Sequence, residues 1–192
     1  AVATSYSYIG QIYFAQNDYS KALDYFKKSL KLDLSFFGEN HPSVASGYYN
    51  IGYVYFAQGD YSKALEYFEE VLKIRLSVYG ENHSRVASVY NDIGEVYFAQ
   101  KDYSKALYYF EESLKIRLSL FGENHPEVAL SYYSIGSLYI IQGDKSKALN
   151  YYEKSLKIRL SVYGENHPLT KEIMDLINVA NSKVLQSPET TK

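Results

Sequence analysis

The chain repeats itself every 42 residues, and this period constrains its fold more than any other property. The best-formed copy covers residues 44–85; residues 2–43 precede it, and 86–127 and 128–169 follow. Gly38-Glu39-Asn40-His41 returns as Gly80-Glu81-Asn82-His83, Gly122-Glu123-Asn124-His125 and Gly164-Glu165-Asn166-His167, with no insertion between copies. A fixed period of about 20 to 50 residues belongs to solenoids, propellers and arrays. Each unit of such a chain contacts only its neighbours, so 192 residues need not mean one or two ordinary cores.

Within the second copy, Val44, Tyr48, Ile51, Gly52 and Tyr55 fall at helical spacing and make one apolar face. Asn40 to Pro42 supplies the start, a capping side chain followed by proline in the first turn, and Gly59-Asp60 turns the chain. Tyr61, Ala64, Leu65, Phe68, Leu72, Leu76 and Tyr79 form a second stripe, with Lys63, Glu66, Glu69, Glu70 and Lys73 on the other faces. Gly80 is expected to close this helix in a left-handed conformation. Each repeat therefore reads as a helical hairpin with arms of about 16 to 19 residues, roughly 25–28 Å long. Gly10, Gly52, Gly94 and Gly136 recur opposite Ala22, Ala64, Ala106 and Ala148, which predicts a close crossing of the two arms there. No strand pattern occurs, so the expected fold is all-α, a right-handed α-solenoid of stacked helix–turn–helix units.

Composition narrows the function. Hydrophobic residues make up 46% and charged residues 22%, values of a folded domain. A formal net charge of -2 offers no long-range attraction for nucleic acid or anionic lipid, and no apolar run is long enough for a membrane span. Cysteine is absent, which excludes disulfides and thiolate metal sites. The 23 tyrosines recur at fixed repeat positions, so most are expected to be structural.

Tyr48, the Ile51-Gly52 pair, Tyr55, Gly59-Asp60-Tyr61, Ala64 and Phe68 stand in the order and spacing of the tetratricopeptide repeat, which the chain resembles over residues 1 to about 169. The usual repeat has 34 residues; here Leu76 stands where the family has its terminating proline, so the second helix runs on by eight residues. The small residue after Phe68 is Val71, and Ser29, Ser113 and Ser155 in the other copies. This long form is similar to the repeats of kinesin light chains. The resemblance implies a non-enzymatic interaction module whose first helices line a concave groove for a peptide or helix of a protein partner. In the first repeat the groove positions are Ser7, Gln11 and Phe14; in the second, Tyr49, Asn50, Tyr53 and Phe56. In the third they are Asn91, Glu95 and Phe98, and in the fourth Tyr133, Ser137 and Ile140. Most of these positions differ from copy to copy, whereas Ser-Lys-Ala-Leu, Leu-Lys-Ile-Arg-Leu-Ser and Gly-Glu-Asn-His hardly change, as recent duplication explains.

Chaperone-binding members of that family clamp a carboxylate with lysine and arginine in the groove; none stands at these positions, so no such clamp is expected. Asp92 and Glu95 point to a neutral or basic ligand. The alternative is a structural array in a larger sensor or adaptor, self-associating head to tail through Tyr6, Ile9 and Tyr13. No catalytic constellation, cofactor motif or metal site is legible. His41, His83, His125 and His167 recur one per repeat, too far apart to share an ion, and are expected to bond nearby backbone. The sequon Asn82-His83-Ser84 exists only because serine replaces proline in one copy. The chain opens inside a repeat, so further repeats are expected upstream, and a cytoplasmic setting is expected. Residues 170–185 read as a capping helix with Ile173, Leu176, Ile177, Ala180 and Val184 on one stripe, and residues 186–192 as a disordered tail.

Overall fold

The computed structural model describes residues 2–182. These residues form nine α-helices and no strand: α1 (Val2–Ala15), α2 (Tyr19–Phe37), α3 (Pro42–Ala57), α4 (Tyr61–Tyr79), α5 (Ser84–Ala99), α6 (Tyr103–Phe121), α7 (Pro126–Ile141), α8 (Lys145–Tyr163) and α9 (Pro168–Ser182). Two compact units divide the chain, residues 1–109 and residues 110–192. In the first, α1 packs on α2, α2 on α3, α3 on α4 and α4 on α5; in the second, α7 packs on α8 and α8 on α9.

The helix starts are explicit. His41, His83 and His125 are the N-caps of α3, α5 and α7. The cap is thus the histidine, more specific than the Asn40-to-Pro42 start read from the sequence. Its Nδ1 accepts the backbone N–H two residues on, at 3.1 Å from Ser43, 3.1 Å from Arg85 and 3.2 Å from Glu127. His167 accepts likewise from Leu169 at 3.2 Å. Each imidazole also stacks on the aromatic residue four positions earlier; Phe37 and His41 lie 4.2 Å apart between centroids. Helices α2, α4 and α8 open on Asp18, Asp60 and Asp144, whose carboxylates accept the N–H groups of Lys21, Lys63 and Lys147. The lysine in turn reaches back to the same aspartate and lies over a tyrosine of the preceding helix.

Gly38, Gly80 and Gly164 end the second helices with φ of 74–79° and ψ of 170–177°. The positive φ matches the expected cap. The ψ does not, because the chain leaves extended rather than left-handed helical, in a region only glycine occupies readily.

The close crossing is real, but its partner is not the alanine alone. A Cβ on Gly10 would lie 2.7 Å from the Phe26 ring, and one on Gly52 3.0 Å from Phe68. On Gly136 it would lie 2.7 Å from Tyr152 and 3.3 Å from the Ala148 carbonyl. The missing side chain makes room for a ring. Ala22, Ala64 and Ala148 are fully buried beside these rings. Serine after the ring is more than small: Ser29 donates to the Ala3 carbonyl and Ser155 to that of Ala129, each at 2.7 Å.

The core of the first unit centres on Phe26, Ile51, Val54, Phe68, Val71 and Ile93. In the second unit, Val128, Ala129 and Ile158 pack against Leu114, Leu118 and Tyr132. Helix α9 begins at Pro168, two residues before the expected start, and buries Thr170, Ile173 and Ala180. Val184 and residues 186–192 lie outside the described residues. On α1, Tyr6 and Tyr13 pack on Tyr25 and Ile9 is half-buried, so they do not form the exposed face expected of them. Val2, Tyr8 and Ile12 are the exposed apolar side chains there.

Candidate functional site

Many of the aromatic residues serve the hairpin itself. In each repeat three tyrosines interlock, as Tyr48 and Tyr55 do around Tyr67 at 6.0 and 5.6 Å. Tyr132 and Tyr139 surround Tyr151 in the same way at 6.0 and 5.7 Å. Phe14, Phe56 and Phe98 have a structural task as well. Each packs on the tyrosine that opens the next helix, Tyr19, Tyr61 or Tyr103, at 5.7–5.9 Å. Where Lys145 replaces that tyrosine, Ile140 replaces the phenylalanine. The half-buried Phe56 and Phe98 thus serve the turn between the two helices of their repeats.

In the first unit, α1 and α3 bring five of the candidate residues to one place. Gln11, Phe14, Tyr49, Asn50 and Tyr53, with Phe26 from α2, line a pocket of about 120 Å³. Sequence reasoning missed Phe26, because a core ring on the second helix carries no sign that one edge reaches the first-helix surface. Phe14 and Tyr53 rings stand 5.8 Å apart, and Tyr53 stacks on Tyr49 at 6.0 Å. Asn50 donates its amide to the Ser7 hydroxyl at 3.3 Å, which fixes the amide at the rim. Gln11 and Tyr53 are exposed. The pocket combines aromatic walls with neutral amides and is close in size to the ~150 Å³ that admits a benzene ring.

The polar neighbours are tied to one another. Tyr49 donates its phenol to Asp92; burial first, and then that negative charge, push the phenol well above its ordinary range. The Arg75 guanidinium lies 5.4 Å from the Tyr49 ring centroid and donates to the Arg85 carbonyl at 2.8 Å. Asn91 departs from the expected groove contact: it is only 6% exposed, and its amide donates to Glu95 at 2.9 Å. Positive charge therefore stands beside Tyr49, supplied by the second helix α4.

The second unit repeats this device. Arg159, buried, lies 4.9 Å from the Tyr133 ring centroid, and Tyr133 donates to Glu172 of α9 at 3.0 Å. Ser137 and Tyr152 share a hydrogen bond of 3.1 Å. Arg117, also buried, donates to the Ser131 hydroxyl at 2.8 Å and pairs with Glu127. Uniformity of the Lys-Ile-Arg-Leu segment looked like the residue of duplication. Its arginines are structural, and the signal that marks them is a charged residue in phase with the apolar stripe of its helix.

Among the described residues no three histidines or acids gather to hold a metal ion, and no helix is long and apolar enough to cross a membrane. The tetratricopeptide repeat family profile matches residues 1–77, 43–119 and 85–161. The chain belongs to the tetratricopeptide repeat family. Its architecture is an all-α helical-repeat solenoid, and the family is one of non-enzymatic protein-interaction scaffolds. BtubC (BKLC) from P. vanneervenii is similar in structure, with 27% identity and a TM-score of 0.76 over 86% of this chain and 66% of that one. A kinesin light chain-type protein of P. anserina with nearly identical TPR-like repeats has 16% identity and a TM-score of 0.74, covering 96% of each chain. RapI in its apo form has 19% identity and a TM-score of 0.78 over 96% of this chain and 65% of its own. The chain thus spans just under two thirds of BtubC and RapI. Among curated proteins no sequence match is found.

Proposed function

We propose that this tetratricopeptide array binds a peptide segment of a protein partner on the α1/α3 face of its first unit. The supporting observation is the pocket among Gln11, Phe14, Phe26, Tyr49, Asn50 and Tyr53. It takes one aliphatic or aromatic side chain of the partner, while Gln11 and Asn50 offer neutral amide groups to the backbone on either side. Aromatic-walled pockets are where binding energy concentrates. Asp92 and Glu95 accept from the uncharged Tyr49 and Asn91 and keep their negative charge beside Tyr53, which favours a neutral or basic segment.

The test is selection of displayed peptides on the chain, followed by titration of one selected peptide against variants. Tyr53→Ala should weaken binding about tenfold or more, in line with loss of an anchoring contact. Glu66→Ala, on an exposed second-helix position, should leave it unchanged. Equal loss from both, or no selected peptide at all, contradicts the reading.

A second reading, an array that associates with its own copies, is supported by Val2, Tyr8 and Ile12 on the open face of α1, which are 61%, 62% and 57% exposed. Light scattering against concentration separates the two. A peptide receptor stays monomeric, and a self-associating array grows.

A further inference from the structure

Three of the four repeats carry arginine at the same second-helix position, Arg75, Arg117 and Arg159. In each, Nη1 donates to the carbonyl ten residues on, at Arg85, Glu127 or Leu169, in the first turn of the next helix. The first repeat reads Lys31-Leu32-Asp33-Leu34, so an aspartate stands where the guanidinium should be, and Ser43 is the carbonyl ten residues on. A carboxylate cannot donate to a carbonyl, and it is too short to span the same gap.

At this end of α2 lies a cleft of about 590 Å³, lined among others by Val2, Thr4, Leu32, Asp33, Phe36 and Ser43. Asp33 is half-buried in it, and among the described residues no hydrogen bond or ion pair engages its carboxylate. Burial pushes its carboxyl above the usual carboxylate range and outweighs the opposing pull of positive charge at His41 and at the chain's amino group. Phe36 is 77% exposed and presents its ring at the rim. The cleft lies away from the pocket between α1 and α3, and nothing in it depends on that site.

We propose that this cleft is a receptor for an arginine side chain of a partner protein, which fills the place that Arg75, Arg117 and Arg159 fill in the other repeats. The guanidinium pairs with Asp33 and offers its remaining N–H groups to the Ser43 carbonyl. Its stem lies along Leu32 and Val2, and its planar face meets the Phe36 ring. Arginine fits better than lysine, because a planar fork serves a carboxylate and a carbonyl together and also stacks on an aromatic ring. The cleft is within the size range of ligand pockets, with room for the apolar residues that flank the arginine.

The test uses the whole chain and N-acetyl-arginine amide, with the isosteric but uncharged N-acetyl-citrulline amide as control, read by backbone amide shifts. The arginine probe should give saturable shifts at Asp33, Phe36 and Ser43, at least tenfold tighter than the citrulline probe. Asp33→Asn should weaken it by a similar factor. Asp33→Arg, which fills the place from within, should abolish binding and raise the melting temperature. Equal binding of both probes, unchanged binding by Asp33→Asn, absence of saturable shifts, or a lowered melting temperature for Asp33→Arg would each overturn the proposal.

Discussion

The Arg159 guanidinium lies 4.9 Å from the centre of the Tyr133 ring while its Nη1 donates to the Leu169 carbonyl. One buried cation thus joins three successive helices, its own α8, the ring of α7 and the first turn of α9. Lysine offers no planar fork for this, so Arg159→Lys should cost roughly 1.5–3 kcal/mol, the range for a hydrogen bond to a charged group. Arg159→Ala should cost at least as much. Urea denaturation measures both; stability equal to the parent would show that the guanidinium is an ornament of the interface.

Gly136 tests the crossing. Alanine is worth about 1 kcal/mol more than glycine inside an exposed helix. Here its Cβ would meet Tyr152 at 2.7 Å and the Ala148 carbonyl at 3.3 Å, so the backbone has to move. Gly136→Ala should therefore destabilise by about 1–3 kcal/mol despite the propensity gain. Gly52→Ala, with its nearest contact at 3.0 Å, should cost less. The opposite ranking in thermal melts would mean that propensity outweighs packing.

The histidine caps give a third prediction. His125→Ala removes the acceptor for the Glu127 N–H and the ring stacked on Phe121 at 4.2 Å. A loss of roughly 0.5–2 kcal/mol is expected. His125→Asn keeps a cap acceptor and should recover part of it. The comparison is read from helix content and from amide exchange in the first turn of α7.

Alkaline titration gives a fourth. The folded chain holds the Tyr49 proton more tightly than the unfolded chain, whose phenol ionises near its ordinary value of 10.0. The stabilisation is complete below that pH and is lost as pH rises from about 10 toward the higher folded value. Tyr48, Tyr53, Tyr67 and Tyr109 shift in the same direction, chiefly through burial. Denaturation midpoints should therefore fall steeply above about pH 10, and Tyr49→Phe should flatten part of that slope. A midpoint independent of pH in this window would contradict it.

The period, the helical faces and the glycines are all local, and so they were legible. Val44, Ile51 and Phe68 stand at helical spacing, and the helices run where that spacing puts them. The structural role of the tyrosines was legible too, because Tyr48, Tyr55 and Tyr67 return in every copy. What stayed hidden were particular side-chain pairings, within one helix as well as between helices. Asn91 stands at the same repeat position as the half-buried Ser7 and Tyr49, but it is buried and donates to Glu95 one turn on in its own helix. Arg75 looked like one charge among many on a second helix, and nothing in a single copy reveals the carbonyl ten residues ahead. Phe26 entered the pocket from a helix counted as core. The placements of Arg75 and Phe26 depend on how neighbouring hairpins stack, which a repeat read by itself does not contain.

The peptide-receptor claim is tested most directly by a photo-activated crosslinking residue placed at Tyr53, with the same residue at Glu66 as the control, in the presence of a displayed-peptide ligand. Tyr53 edges the pocket and is 40% exposed, so it can carry the probe. The account predicts crosslinks from position 53 to an apolar residue of the peptide and none from position 66. Equal crosslinking from both positions, or crosslinks only from position 66, would contradict it.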